Sequence, residues 1–329
     1  MKKLLISALC AVALGHASSV MAQTNWKLAT GYRAESFHTE NIVRFAQDVE
    51  KATAGQLRIE VHPGGTLVKL NDIRQAVQDG KAEAGETIMS SLAKDIPIAG
   101  ADSVPFVATS YADAQRLWEL QRPLIEKHFT QRGLKLLYSV PWPPQGLFSN
   151  KPIRNAADFK GTKMRTYNPT TQRIAELMEA VPVDVAMVDV NKALSEGRMD
   201  NMITSAVTGV ENKVWGPIKH YYEINAWFPK NVVFVSSKSF TTLTPDQQKA
   251  VMQAASSAET RGWAKSQAVM LDSTNELRVQ GIKVERASSE LNADIKRLGE
   301  KFSKEWIRSV GPDANSIFIP YYTYAYGKK

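Results

Sequence analysis

Cysteine is almost missing from this chain: its single copy among 329 residues is Cys10. That residue stands inside the apolar run 4–14, which follows Lys2 and Lys3 and leads to Val20-Met21-Ala22. Basic start, apolar run and small-residue end form the three-part pattern of a secretory leader, with cleavage expected after Ala22. The Ser-Ala-Leu before Cys10 does not match a lipoprotein box, so the thiol is expected to leave with the leader. The remaining chain then has neither a disulfide framework nor thiol chemistry. No other segment holds the roughly 18 uninterrupted apolar residues of a membrane span. Histidine is scarce as well, and His38, His62, His128 and His220 stand nowhere at metal-ligand spacing. The G-x-S-x-G, G-x-G-x-x-G and P-loop patterns are absent. A hydrolase assembled from distant Ser, His and Asp residues stays open. Lys and Arg are scattered, without a basic cluster interleaved with aromatics, which argues against nucleic acid.

What is present is a large, moderately basic chain. Removing Lys2 and Lys3 with the leader takes the formal charge from +8 to +6, a balance that suits an anionic ligand or partner. About 307 residues remain, 43% of the whole chain is hydrophobic, and this length favours two lobes over one core.

Strands and helices alternate. WKLATGY (26–32) reads as a strand, 38–53 as an amphipathic helix with Ile42, Phe45, Ala46 and Val49 on one side, and QLRIEVH (56–62) as an alternating strand. A short helix stopped by Gly80, the strand AEAGETIM, the helix YADAQRLWELQRPLIEKHF and the strand GLKLLYSV continue the order, which predicts an α/β lobe. A second lobe begins near GLFSNKPI and holds KMRTY, PTTQRIAELMEA, VPVDV, VNKALSEG and RMDNMIT. NVVFVSS (231–237) returns to the first. From 243 to 281 runs one long helix, with Thr244 as N-cap, Pro245 at its first position and no proline in the next 36 residues. At 1.5 Å per residue it is roughly 50 Å long, enough to span both lobes. The expected division is a leader at 1–22, lobe I at 23–142 and 230–269, and lobe II at 143–229 and 270–329.

GTKMRTYNPTTQRIAELMEA (161–180) places Arg165 at the end of a short strand, before a polar turn and a helix. A guanidinium there either pairs with a neighbouring acid, Asp184 or Asp200, or receives a carboxylate from outside. Its planar fork matches a carboxylate bidentately, and such charge-assisted bonds are about twice as strong as neutral ones. Asn168-Pro169 is suited to cap the next helix, whose first turn adds attraction for an anion.

The succession GQLRIEVHPGGTL, LNDIRQAVQDG, SVPFV, FKGTKMRT, AVPVDVAMVDVNKALSEGRMDN and the long helix resembles the DctP-type periplasmic solute receptors of TRAP (tripartite ATP-independent periplasmic) transporters. The G-x-K-x-R segment followed by A-L-x-x-G-x-x-D carries the resemblance most specifically. It implies a two-lobed α/β fold of the periplasmic-binding-protein kind, closing around a small organic acid whose carboxylate Arg165 holds. It also implies a periplasmic location and delivery to the small and large membrane subunits of an ion-driven permease. No cofactor, metal or catalytic residue is expected, and the protein is expected to act as a monomer.

In related receptors a second arginine often precedes the S-N-K-P segment; the matching place in PWPPQGLFSNKP holds Gln145. That departure favours a smaller acid with a neutral polar group. Trp142 in the same stretch is a candidate wall or a packing anchor, and Tyr167 and Asn168 flank Arg165. Thr204 and Ser205 supply hydroxyls for a ligand or for strand-end capping. Trp227 and Asn231 sit at the return crossing, where clefts form, with hinge packing as the other reading of Trp227. One of Tyr32 and His38 is expected to face the cleft. Glu86, odd in its apolar strand, accepts from a ligand hydroxyl or pairs with an internal cation. A receptor reporting to a sensor kinase is the other reading of the same pocket.

Overall fold

The computed structural model describes residues 23–326; the leader expected at 1–22 lies outside them. In chain order the first lobe begins with β1 (Thr24–Ala29), α1 (Phe37–Ala52), β2 (Leu57–His62), α2 (Ile73–Gln78), β3 (Ala84–Ile88), α3 (Tyr111–Thr130) and β4 (Leu134–Pro141). The chain then crosses to β5 (Gly146–Ser149), β6 (Lys163–Thr166), α4 (Pro169–Leu177), β7 (Val181–Asp184) and α5 (Val190–Ser195). β8 (Asn201–Thr204), α6 (Ala206–Glu211) and β9 (His220–Tyr222) complete this passage. It returns as β10 (Lys230–Ser236) and α7 (Ser237–Thr241), and ends with α8 (Pro245–Val279), β11 (Lys283–Glu285), α9 (Ser289–Val310) and α10 (Pro312–Tyr326).

Two mixed sheets result, a five-stranded one in the order β2-β1-β3-β10-β4 and a six-stranded one in the order β11-β9-β5-β8-β6-β7. β1 runs parallel to β2 and β3, while β10 enters antiparallel between β3 and β4. This central position explains why all five residues of β3 are buried: strands covered on both faces need no polar side. α1 and α8 close one face over Trp26, Phe45 and Val251, and α2 and α3 close the other over Ile73, Trp118 and Phe129. On α1 the buried positions include Ile42, Phe45, Ala46 and Val49, the stripe that the sequence spacing predicts.

The two crossings are tied together as a hinge. Trp142 N donates to Pro229 O at 2.8 Å, Gln145 N to Trp227 O at 3.0 Å, and Ala226 N to Gln145 O at 2.9 Å. The third link is α8, whose start is fixed by a capping box between Thr244 and Gln247, with Pro245 in the first turn. It packs on α1 and β4 in the first lobe and on α6 and β11 in the second. Gly262 lets it approach closely, since a Cβ there would lie 2.3 Å from the Val140 side chain. The expected boundary assigns 270–329 to the second lobe. α9 touches α4 of the second lobe, while α10 packs against α3 of the first, with Ile317, Phe318 and Tyr321 buried.

Candidate functional site

A cleft of about 570 Å³ lies between the sheets. Its floor on the second lobe is Arg165, the third residue of β6, 3% exposed. Nε donates to the Val185 carbonyl at 2.9 Å and the guanidinium carbon lies 4.8 Å from the centre of the Tyr167 ring. Among the described residues no carboxylate comes within ion-pair distance of it. Asp184 acts on it only from a distance, and Asp200 accepts instead from Asn150 Nδ2 and the Lys163 amide. Burial pulls the Arg165 pKa down to about 10, only partly countered by Tyr167, Tyr32 and Asp184. Among the described residues a cation is thus buried without an ion-pair partner.

Tyr32 and Trp142 line the first-lobe side, their rings 5.2 Å apart. Both donate to Asn231 Oδ1, Trp142 Nε1 at 2.8 Å and the Tyr32 hydroxyl at 3.3 Å. Because an indole N–H only donates, the Asn231 amide must turn its oxygen to the wall and its nitrogen inward. There Nδ2 meets Glu86 Oε1 at 2.9 Å, while Thr30 Oγ1 donates to Glu86 Oε2 at 2.6 Å. His38 Nδ1 stands 3.5 Å from Glu86, and its ring packs 4.3 Å from Trp142. Asn231, Glu86 and His38 therefore brace the wall from behind and are not among the lining residues; of Tyr32 and His38, one of which is expected to face the cleft, it is Tyr32 that does, and Glu86 takes internal partners. Burial raises the Glu86 pKa to about 7 against the bonds from Thr30 and Asn231, and burial lowers His38 well below its ordinary value.

On the second lobe Thr204 ends β8 and donates to Thr208 Oγ1 at 2.9 Å, and both line the cleft. Ser205, also in the lining, is fully buried and its hydroxyl has no hydrogen-bond partner among the described residues. It is spare for a ligand. Gln145 and Tyr167 line the hinge end. The Tyr167 hydroxyl donates to Gln145 Oε1 at 3.2 Å and Gln145 Nε2 donates to Pro143 O at 2.9 Å. Burial pushes Tyr167 up to about 12, with Arg165 and the Trp227 indole acting in the other direction.

Two more expected contacts fall outside the lining. Asn168 caps α4 in a capping box with Thr171, and its Nδ2 crosses to Ser90 Oγ of the first lobe at 2.7 Å. Trp227 is buried in the hinge, its carbonyl accepting from Gln145, which is the packing alternative left open above. Sequence reasoning missed the outer lining, the 69–72 loop of the first lobe and 186–189 of the second. Most of these residues lie within segments that carry the family resemblance, LNDIRQAVQDG and AVPVDVAMVDVNKALSEGRMDN, but neither holds the residue pattern that singles out Arg165. Thr208 had a signal, since it follows Thr204 by four residues, one helical turn.

The profile of the family described as "Bacterial extracellular solute-binding protein, family 7" (DctP) matches residues 28–309. Among solved structures, the chain is similar to DctP6 of Bordetella pertussis, an extracytoplasmic solute receptor binding pyroglutamic acid. The two are 36% identical with a TM-score of 0.89, over 91% of this chain and 100% of that one. A marine-metagenome TRAP solute-binding protein specific for pyroglutamate, solved with co-purified pyroglutamate, is 35% identical with a TM-score of 0.90, over 92% and 99%. A solute-binding protein of Roseobacter denitrificans is 25% identical over 76% of this chain and 78% of its own.

Proposed function

Because this chain belongs to family 7 of the bacterial extracellular solute-binding proteins, we propose that it captures pyroglutamate, or a closely similar small cyclic acid, between its lobes. The observation that carries the reading is Arg165, a buried guanidinium with no carboxylate at ion-pair distance among the described residues. A ligand carboxylate supplies the missing charge and takes up the N–H groups at the end of the fork. With Gln145 where related receptors often have a second arginine, the cleft suits one negative charge beside a neutral polar group. A lactam meets that description: its N–H and carbonyl are matched by short hydroxyls such as Ser205 and Thr204. The ligands named for the 36% and 35% identical relatives support the same choice.

In this reading the chain binds without catalysing. Among the described residues no histidine lines the cleft beside Ser205. No helix among the described residues is long and apolar enough to cross a membrane, in keeping with a receptor exported to the periplasm by residues 1–22. The closed receptor then presents its ligand to the two membrane subunits of a TRAP permease, where ion gradients drive uptake. A thermal-shift screen of small carboxylates, amides and sugars tests the reading. L-pyroglutamate is expected to give the largest rise in melting temperature; a response to amides or sugars with none to any carboxylate contradicts it.

A further inference from the structure

Arg33, in the loop between β1 and α1, follows the cleft-lining Tyr32, and its side chain reaches out of the first lobe altogether. Nη2 donates to Val188 O at 2.6 Å, Nη1 donates to Glu211 O at 3.1 Å, and both nitrogens lie 3.4 Å from Asn212 Oδ1. All three acceptors belong to the second lobe. Val188 lines the cleft between Met187 and Asp189. Glu211 and Asn212 end α6, the short helix that follows Ser205 and carries Thr208.

The end of α6 is braced so that a pull on it reaches the cleft. Asn212 Nδ2 donates to Thr208 O at 3.0 Å, and Asn191 Nδ2 donates to Asn212 O at 2.8 Å. Near the start of the helix, Val207 packs in the same apolar cluster as Tyr32, Phe37 and Trp142 of the first lobe. One fork therefore gathers two separate wall segments of the second lobe and fastens them to the loop that carries Tyr32. The acceptors are neutral oxygens, two of them at the end of a helix, where the backbone dipole favours a cation. A lysine ammonium concentrates its donors at one point and does not span acceptors this way.

We infer that Arg33 is a positioning residue for the ligand, an interlobe clasp that forms on closure and sets how long the ligand stays. This rests on the reading of the chain as a closing receptor. Opening the cleft must break its bonds, because loop and acceptors sit on opposite lobes. Entry into the open form does not involve it. Removing the clasp therefore acts on release: dissociation accelerates while association is nearly unchanged.

The test is stopped-flow binding of L-pyroglutamate, read by tryptophan fluorescence, to the secreted protein and its Arg33→Ala and Arg33→Lys variants. Arg33→Ala is expected to dissociate about tenfold faster with association within about twofold, affinity changes in related complexes residing mostly in the off-rate. Arg33→Lys should lie nearer to alanine than to the parent. An unchanged dissociation rate, or a loss confined to association, overturns the clasp. A second arm is independent of the ligand's identity: nitroxide pairs at Lys51→Cys and Lys192→Cys, exposed sites on opposite lobes, report interlobe distance in the ligand-free protein. The closed fraction should fall in Arg33→Ala, and identical distributions overturn the clasp. If the parent fails to bind pyroglutamate, the proposed function fails, and the distance measurement still judges Arg33.

Discussion

A guanidinium that has left water needs acceptors for its N–H groups, and inside this chain Arg165 has the Val185 carbonyl and the face of Tyr167. An arginine kept for the fold would instead face Asp184 or Asp200. Arg165→Ala should consequently leave the ligand-free protein as stable as the parent in urea, or slightly more stable, while abolishing binding. A broken buried ion pair would cost roughly 3–5 kcal/mol, and a loss of that size would return Arg165 to the fold. Glu86 behaves in the opposite way, since its burial favours the neutral acid. With a folded pKa near 7 against a usual 4.5, the folded state holds its proton more tightly than the unfolded state. The stability this contributes is fully present below about 4.5 and is lost as pH rises through about 7. Glu86→Gln should remove that slope, gaining on the parent between pH 5 and 7 by up to the order of 3 kcal/mol. Urea titrations at several pH values read the difference, and parallel curves would contradict it. The motif and the charge of Arg165 single it out in the sequence, and the structure places it in the cleft floor. Glu86, Asn231 and His38 were legible as unusual, but chain order does not tell a wall from the brace behind it.

The elements that hold the site were readable wherever a local rule sufficed. Asn168, Pro169 and Thr171 start α4, as the N-cap pattern predicts. Thr244 and Pro245 start a helix that runs unbroken to Val279, within two residues of the expected end. β9 and β11 are three residues each, too short for an alternation to register, and they enter the sheet only because distant segments bring them together. The return of α10 to α3 is likewise set by tertiary packing. Asn168 does two jobs, capping its helix and reaching Ser90 across the lobes. Asn168→Ala should cost about 1 kcal/mol of folding stability in denaturant from the cap alone, and Asn168→Asp should recover most of it because aspartate caps equally well. Equal losses in the two variants would show that the bond to Ser90, not the cap, carries the effect.

At the scale of the molecule, two sheets joined by paired crossings and one long helix leave a cleft whose walls come from both lobes. Ligand contacts on one side and the clasp on the other act together, so occupancy should stabilise the fold by mass action. At a hundredfold excess over the dissociation constant the gain is about 2.7 kcal/mol, and calorimetric unfolding with and without L-pyroglutamate checks it. The central claim is narrower: the arginine in the floor awaits an acid from outside. Lysine probes it most directly, because it keeps the charge and loses the fork. Calorimetric titration of L-pyroglutamate into the parent and Arg165→Lys should give a dissociation constant at least about tenfold weaker for the variant, some 1.4 kcal/mol; an Arg165→Lys that binds as tightly as the parent would contradict the account.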